Sequence, residues 1–423
     1  MPEFLMTTWH GAGTTPPLMS VAKALVSRGH RVRVLADSLL RPEVEAAGAE
    51  HIPWTSAPQR TMPGRDDDFV RDWETQDPAE SFARTRDRLV VGPAALYAKD
   101  VREQLERHRP AALLTELLLM GPLIAAEAAG VPSIVLDPTI NIIPSEGVPP
   151  FGFGFLPAVN DEERERDRMF GAIAMQAWDE ALPVLNAARA ENGLTPLQHV
   201  LDQGRTAVRV LVLSSASFDF QGPLAPTVKH VGPRLDDVSW AGKWEAPEGT
   251  DPLVLVAMST DFQDQQPLLQ KVAEALGELP VRGVITTGRG VDPADVKAPG
   301  NVQVMASAPH AEVLRDCAVT VTHGGHGTTI KSLAAGVPLV CLPIGRDQLD
   351  VAARVTHAGA GIRLEPSAST QEIAAAVLSV LDDPRYRAAA GRIAEAIARE
   401  TATDQAVTEI EAVLAEQTQS VPA

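Results

Sequence analysis

Cysteine is close to absent: Cys317 and Cys341 are the only two in 423 residues. Both sit in apolar stretches, which predicts buried, inert thiols and a reducing compartment, and argues against a disulfide framework or a thiolate metal site. Positive charge is also scarce. The 37 lysines and arginines face 55 aspartates and glutamates, a net charge of −18. That balance argues against nucleic acid or an anionic membrane surface as the main partner. Any phosphate-bearing ligand must then be held by local devices such as helix N-termini. No apolar run approaches the roughly 20 residues of a membrane span. The opening MPEFLMTTWHGAG has no basic leader and only a brief apolar run, so a cytoplasmic location is expected. No cluster of His, Cys, Asp and Glu has metal-ligand spacing, and no metal is expected.

What the chain does carry is an apolar content of 45%, typical of a globular protein, over a length that exceeds one ordinary core. Two domains of about 200 residues each are expected. The first half opens with an apolar strand at 4–8 and a glycine-bearing loop, Trp9-His10-Gly11-Ala12-Gly13. Leu18, Val21, Ala22 and Leu25 then recur at helical spacing, with Pro17 in the first turn and Gly29 at the C-terminal cap. RVRVLA at 31–36 returns to strand preference. Such a strand-helix-strand unit crosses over right-handed and implies a parallel sheet. Strands are also predicted at 112–115 and 133–136, around a helix over 121–129, while the polar stretch 60–107 reads as surface loop and charged helices. The second half restarts the rhythm, with strands at 253–258, 281–286, 301–305, 319–323 and 338–343, a helix at 266–277, and Ala/Glu/Arg-rich helices from 370 to 415. Continuous apolar strands indicate a parallel sheet covered on both faces. The fold class is therefore α/β, with two Rossmann-like, doubly wound parallel-sheet domains facing a cleft where ligands collect at the carboxyl ends of the strands. The domains span 1–222 and 253–400, joined by a linker rich in Pro, Gly and charge at 223–252 and followed by a C-terminal helix and tail at 401–423.

The most informative segment ends a strand at His323 and runs through Gly324-Gly325-His326-Gly327-Thr328 into a helix near Thr328. Exposed N–H groups at that helix start make an anion site suited to a diphosphate, with Thr328 and His323 as added donors. On its own such a turn is a weak signal, and a tight turn without a ligand is the commoner case. Asp347-Gln348, at the end of the next strand, can hydrogen-bond several sugar hydroxyls, although Asp347 also suits a plain helix N-cap.

Together, Ser307-Ala308-Pro309-His310, the glycine turn from His323 to Thr328, Gly336-Val337-Pro338 and Asp347-Gln348 resemble the donor-binding signature of family 1 glycosyltransferases. This is the GT-B superfamily of UDP-glycosyltransferases, and the likeness is strongest to its bacterial natural-product and antibiotic branch. The resemblance spans nearly the whole chain. It implies that His323, the amides of Gly325 and Gly327, and Thr328 contact a diphosphate. Asp347 and Gln348 then hold the sugar, Ser259 and Thr260 approach the phosphates, and Ala308 and His310 flank the base. Ser307 replaces the stacking tryptophan of plant relatives. Lys331 replaces a ribose-binding glutamate, which is compatible with a dTDP-sugar, or simply faces solvent. In the first half, the resemblance makes His10 the catalytic base and Glu116 its supporting carboxylate, whose extra methylene over the family's aspartate displaces the group by about 1.5 Å. Without the family, a cleft-shaping His10 and a surface Glu116 at a strand end are the blander readings. The implied reaction is inverting, metal-independent sugar transfer from a dTDP- or UDP-linked donor to a hydroxyl of a hydrophobic small molecule, with no further cofactor. A nucleotide-sugar epimerase of the same fold and a catalytically silent sugar-nucleotide-binding auxiliary are the alternatives. A dehydrogenase is disfavoured because Gly11-Ala12-Gly13 lacks the full GxGxxG order and Asp37 is an unremarkable acid after the second strand. Acceptor-contacting loops fall at 55–95 and 141–175. Oligomeric state, including a homodimer, stays open.

Overall fold

The computed structural model describes residues 2–11, 13–238 and 240–420. Its first sheet has seven strands: β1 (Glu3–Thr7), β2 (Arg31–Ala36), β3 (Glu50–Pro53), β4 (Ala112–Thr115), β5 (Ser133–Asp137), β6 (Arg209–Val212) and β7 (Val228–His230). All pair in parallel, in the order β3-β2-β1-β4-β5-β6-β7. The second sheet holds β8 (Leu253–Ala257), β9 (Arg282–Thr286), β10 (Val302–Met305), β11 (Cys317–Thr322), β12 (Leu339–Cys341) and β13 (Gly361–Arg363). It is likewise parallel, in the order β10-β9-β8-β11-β12-β13. Strands such as LVLVA of β8 and SIVLD of β5 are buried at every position, as expected for sheets covered by helices on both faces.

In each sheet the order of strand addition reverses between its first strand and the one that crosses over beside it, β1 beside β4 and β8 beside β11. Loops diverge at such a switch point and leave a crevice at the carboxyl ends. The expected site residues follow those ends: His10 after β1, Glu116 after β4, Ser259 after β8, His323 after β11 and Asp347 after β12. The helix Thr15–Ser27 buries Leu18, Val21, Ala22 and Leu25, and the left-handed Gly29 (φ 88°) closes it.

Two expectations are corrected. β7 extends the first sheet to residue 230, inside the span 223–252 expected as linker, because a three-residue edge strand is too short to show periodicity. The stretch 60–107 is not simply surface. Arg60, Asp68 and Asp72 are buried, and the helix Ala94–His108 sends Tyr97, Ala98 and Val101 into the first domain's core. The C-terminal helix Gln405–Ser420 returns to the first domain, where Ala406, Val407, Ile410 and Val413 pack with Leu18, Val21 and Leu25. Residues 421–423 of the expected tail lie outside the described residues. Cys317 and Cys341 are free and buried, and burial raises their thiols to about 11 and about 12. Among the described residues no helix is long and apolar enough to cross a membrane.

Candidate active site

The glycine turn after β11 is built for an anion. Gly324 adopts a left-handed φ of 88°, and the helix His326–Ala334 starts two residues before the Thr328 start expected from the glycine turn. Its ladder opens with Thr329 N–H donating to the Gly325 carbonyl at 3.1 Å, so the N–H groups of its first turn have no helical acceptor. Gly327 and Thr328 are half-buried in that turn. His323 is buried beneath it. Burial, then the nearby Arg346 charge, depresses its pKa to about 3, so it is a neutral imidazole at physiological pH. A Cβ on Gly325 would lie 2.5 Å from His323 Nε2, which explains the glycine. His326 turns the other way and meets Ser214 Oγ of the first domain at 2.8 Å.

The neighbouring loops close around this turn. Ser259 Oγ accepts from Gln263 Nε2 at 2.7 Å, and the Thr260 Cα would meet a Cβ on Gly288 at 2.7 Å. Gln263 Oε1 in turn accepts from Gln348 Nε2 at 2.9 Å. Gln348 Oε1 takes the N–H groups of Ile344 and Gly345 at 2.8 and 3.1 Å, so this side chain braces the loop that carries Asp347. Asp347 accepts from Thr139 Oγ1 across the cleft at 2.6 Å; burial raises its pKa while that bond opposes the rise. On the expected base side, Ala308 is buried and His310 Nε2 lies 3.2 Å from Thr286 Oγ1. Lys331 does not simply face solvent: it pairs with Asp237 of the linker at 2.9 Å, and Asp237 also accepts from Ala311 N. The same linker segment brings Trp240 to the Ser307 hydroxyl, with the Arg289 guanidinium 4.4 Å over its ring.

In the first domain, His10 and Glu116 are both buried but do not form the expected dyad. Glu116 follows β4 beneath the loop and receives the Thr8 hydroxyl, while its Oε2 has no partner. Complete burial raises its pKa to about 7, against the Thr8 bond. The His10 ring meets Arg60 instead, Nη1 to Nδ1 at 3.1 Å. An arginine only donates, so Nδ1 holds the lone pair and the neutral ring carries its proton on Nε2. The His10 backbone N–H donates to Asp37 Oδ2 at 3.0 Å, and burial raises that carboxyl to about 7. Arg60 also reaches Asp261 of the second domain at 2.9 and 3.0 Å and the Gly64 carbonyl at 2.7 Å.

The chain has relatives along almost its whole length. Residues 270–414 match the model of the erythromycin biosynthesis protein CIII-like C-terminal domain. The 4'-demethylrebeccamycin synthase of Lentzea aerocolonigenes is 30% identical over 97% of this chain and 99% of its own length. The oleandomycin glycosyltransferase of Streptomyces antibioticus is 27% identical over 95% of this chain and 88% of its own. The chain is a family 1 glycosyltransferase of the bacterial natural-product branch. Its GT-B fold is shared with the solved glycotransferase of kitacinnamycin (TM-score 0.77, 24% identity, 97% of this chain and 99% of that one) and with the calicheamicin glycosyltransferase CalG4 (TM-score 0.72, 21% identity, all of both chains).

The transferase's cleft also contains residues that motif reading passed over. Arg60, Asp72 and Asp261 lie in irregular segments without periodicity. Arg346 directly precedes Asp347, yet a single arginine in a loop carries no signal. It adopts a left-handed φ of 56° and grips Asp72 of the first domain through two bonds, 2.7 and 3.0 Å. Asp37 was legible as an acid closing β2, but only its contact with His10 gives it a place here.

Proposed function

We propose that this glycosyltransferase is an inverting, metal-independent enzyme that moves a sugar from a dTDP- or UDP-linked donor to a hydroxyl of a hydrophobic small molecule. The observation that carries the proposal is the continuity of the cleft. The unsatisfied N–H groups after Gly325 and the neutral His323 sit in one domain, and His10 reaches that side from the other through Arg60 and Asp261. The diphosphate is held by the amides of Gly325 and Gly327, the Thr328 hydroxyl and His323, which donate to the charge that grows as the sugar leaves. The Ser259-Thr260 loop closes over the phosphates, Ala308 and His310 border the base, and Asp347, on the loop that Gln348 braces, orients the sugar. His10 takes the proton of the acceptor hydroxyl, so that its oxygen attacks the face opposite the departing phosphate. No metal or other cofactor is assigned, because hydrogen bonds and the helix terminus supply the stabilisation.

The hydrophobic acceptor is supported by the loop preceding the helix Asp161–Asp179. Phe153, Phe155 and Phe170 cluster with centroids 4.9–5.6 Å apart. The loop is tied to the second domain by Gly152 N to Asp350 at 2.9 Å and Arg363 to the Gly154 carbonyl at 2.9 Å. Leu156 and Val159 remain exposed beside it.

A thermal-shift panel of UDP-, dTDP- and GDP-sugars tests the donor, since a ligand of the native state raises the melting temperature. The expected result is stabilisation by UDP or dTDP compounds. NMR of the product's anomeric centre tests inversion. No shift with any nucleotide sugar overturns the donor assignment, and a retained anomer overturns the mechanism.

A further inference from the structure

The −18 net charge works against a diphosphate, and the helix terminus and neutral His323 bring no full positive charge to it. Arg60 and Arg346 are nevertheless guanidinium groups beside the Ser259-Thr260 loop and His323, each spent on a carboxylate of the opposite domain. Arg60, 2% exposed, joins Asp261 at 2.9 and 3.0 Å, and its Nε–H is buried without any partner. Arg346 grips Asp72 and lies within Coulombic range of both Asp261 and His323. Asp261 follows directly on the Ser259-Thr260 loop, whose conformation Gln265 fixes through the carbonyls of Ser259 and Asp261 at 3.1 and 2.9 Å. The loop 60–74 completes the contact: the Trp73 ring packs edge-on to Phe262 at 4.9 Å, and Arg65 lies over the same ring.

We infer that the Asp261 carboxylate occupies the place of a donor phosphate, and that Arg60 and Arg346 exchange their carboxylate partners for the diphosphate when the nucleotide sugar binds. Resting on the transferase reading, this deepens it by naming the cations of the donor site. A guanidinium fork fits a phosphate as well as a carboxylate, so the exchange keeps its charge-assisted bonds. The idle Nε–H of Arg60 gains an acceptor, which removes the cost of a buried unsatisfied donor. Arg60 also sits on the lone pair of His10 Nδ1, so its transfer to the diphosphate releases that lone pair. Donor binding then unmasks the base, and an enzyme without donor keeps it occupied.

Calorimetric titration of the full chain with dTDP and UDP, and with thymidine and uridine as phosphate-free controls, tests the inference. Arg60→Ala and Arg346→Ala are expected to weaken diphosphate binding about tenfold or more, the value of a charge-assisted bond, with nucleoside binding unchanged. Asp261→Asn, which keeps the side chain's shape and removes the competing charge, is expected to tighten diphosphate binding. If an arginine variant fails to fold, by circular dichroism, Asp261→Asn decides alone. Wild-type protein that binds neither diphosphate sinks the functional reading itself. Wild-type binding with arginine variants that match it, or an Asp261→Asn protein that binds more weakly, sinks the exchange and leaves Arg60–Asp261 as an interdomain clamp.

Discussion

At the scale of single residues, the decisive side chains are buried ionisable groups whose protonation is set by their surroundings. Burial lowers the His10 pKa below 6.5; Asp261 opposes this, and Arg60 and Arg289 reinforce it. A lowered pKa keeps the imidazole neutral into more acidic solution, so the acid limb of kcat/KM should fall below pH 6.5. Replacing His10 by Ala should reduce kcat by about 10²–10⁴-fold, the range of general-base catalysis, with donor Kd nearly unchanged; steady-state kinetics and calorimetry read the two separately. Glu116 behaves in the opposite sense. Its folded pKa of about 7 lies above the usual carboxylate value, so stability is fully present at acid pH and is lost as pH rises through about 7. Glu116→Gln removes that ionisation. Its melting temperature relative to wild type should rise between about pH 4.5 and 7 and level off above that, while the pH–rate profile keeps its histidine limb, because His10 leans on Arg60 rather than on Glu116.

At the scale of elements, the helix His326–Ala334 and the turn before it act as one device. Gly325 is needed there for space, since a Cβ would press on the His323 ring, whereas a Cβ on Gly327 would meet nothing within 4 Å. Gly325→Ala should therefore weaken nucleoside diphosphate binding about tenfold or more by displacing His323, a loss of the size of one hydrogen bond to a charged group. Gly327→Ala should leave the melting temperature equal or higher, because alanine restricts the unfolded chain and favours the helix. Differential scanning fluorimetry with and without dTDP or UDP separates the two variants. This element was readable in advance because apolar residues end β11 and resume at helical spacing after three closely placed glycines. Gln348 was only half readable. Its place at the strand end was plain, but its role in bracing Ile344 and Gly345 depends on how the loop folds back.

At the scale of the whole molecule, the two domains are tied by chain path as well as by the cleft. The helix Gln405–Ser420 follows the second domain in sequence yet completes the core of the first, with Ile410 fully buried. Ile410→Ala should destabilise the first domain by about 2–5 kcal/mol through lost burial and a residual cavity. Hydrogen exchange checks this: protection should drop in β1 and the helix Thr15–Ser27, with β8 and β11 unaffected. The sequence by itself determined the two parallel sheets and the ends of the strands where chemistry gathers, because strand and helix periodicity, glycine turns and short polar motifs are local properties. It could not assign partners distant in sequence. Arg60 with His10 and Asp261, Arg346 with Asp72, and Glu116 with Thr8 join residues up to 274 positions apart. Only the tertiary structure decided these, since burial and Coulombic contact depend on which surfaces meet, and no local pattern records that.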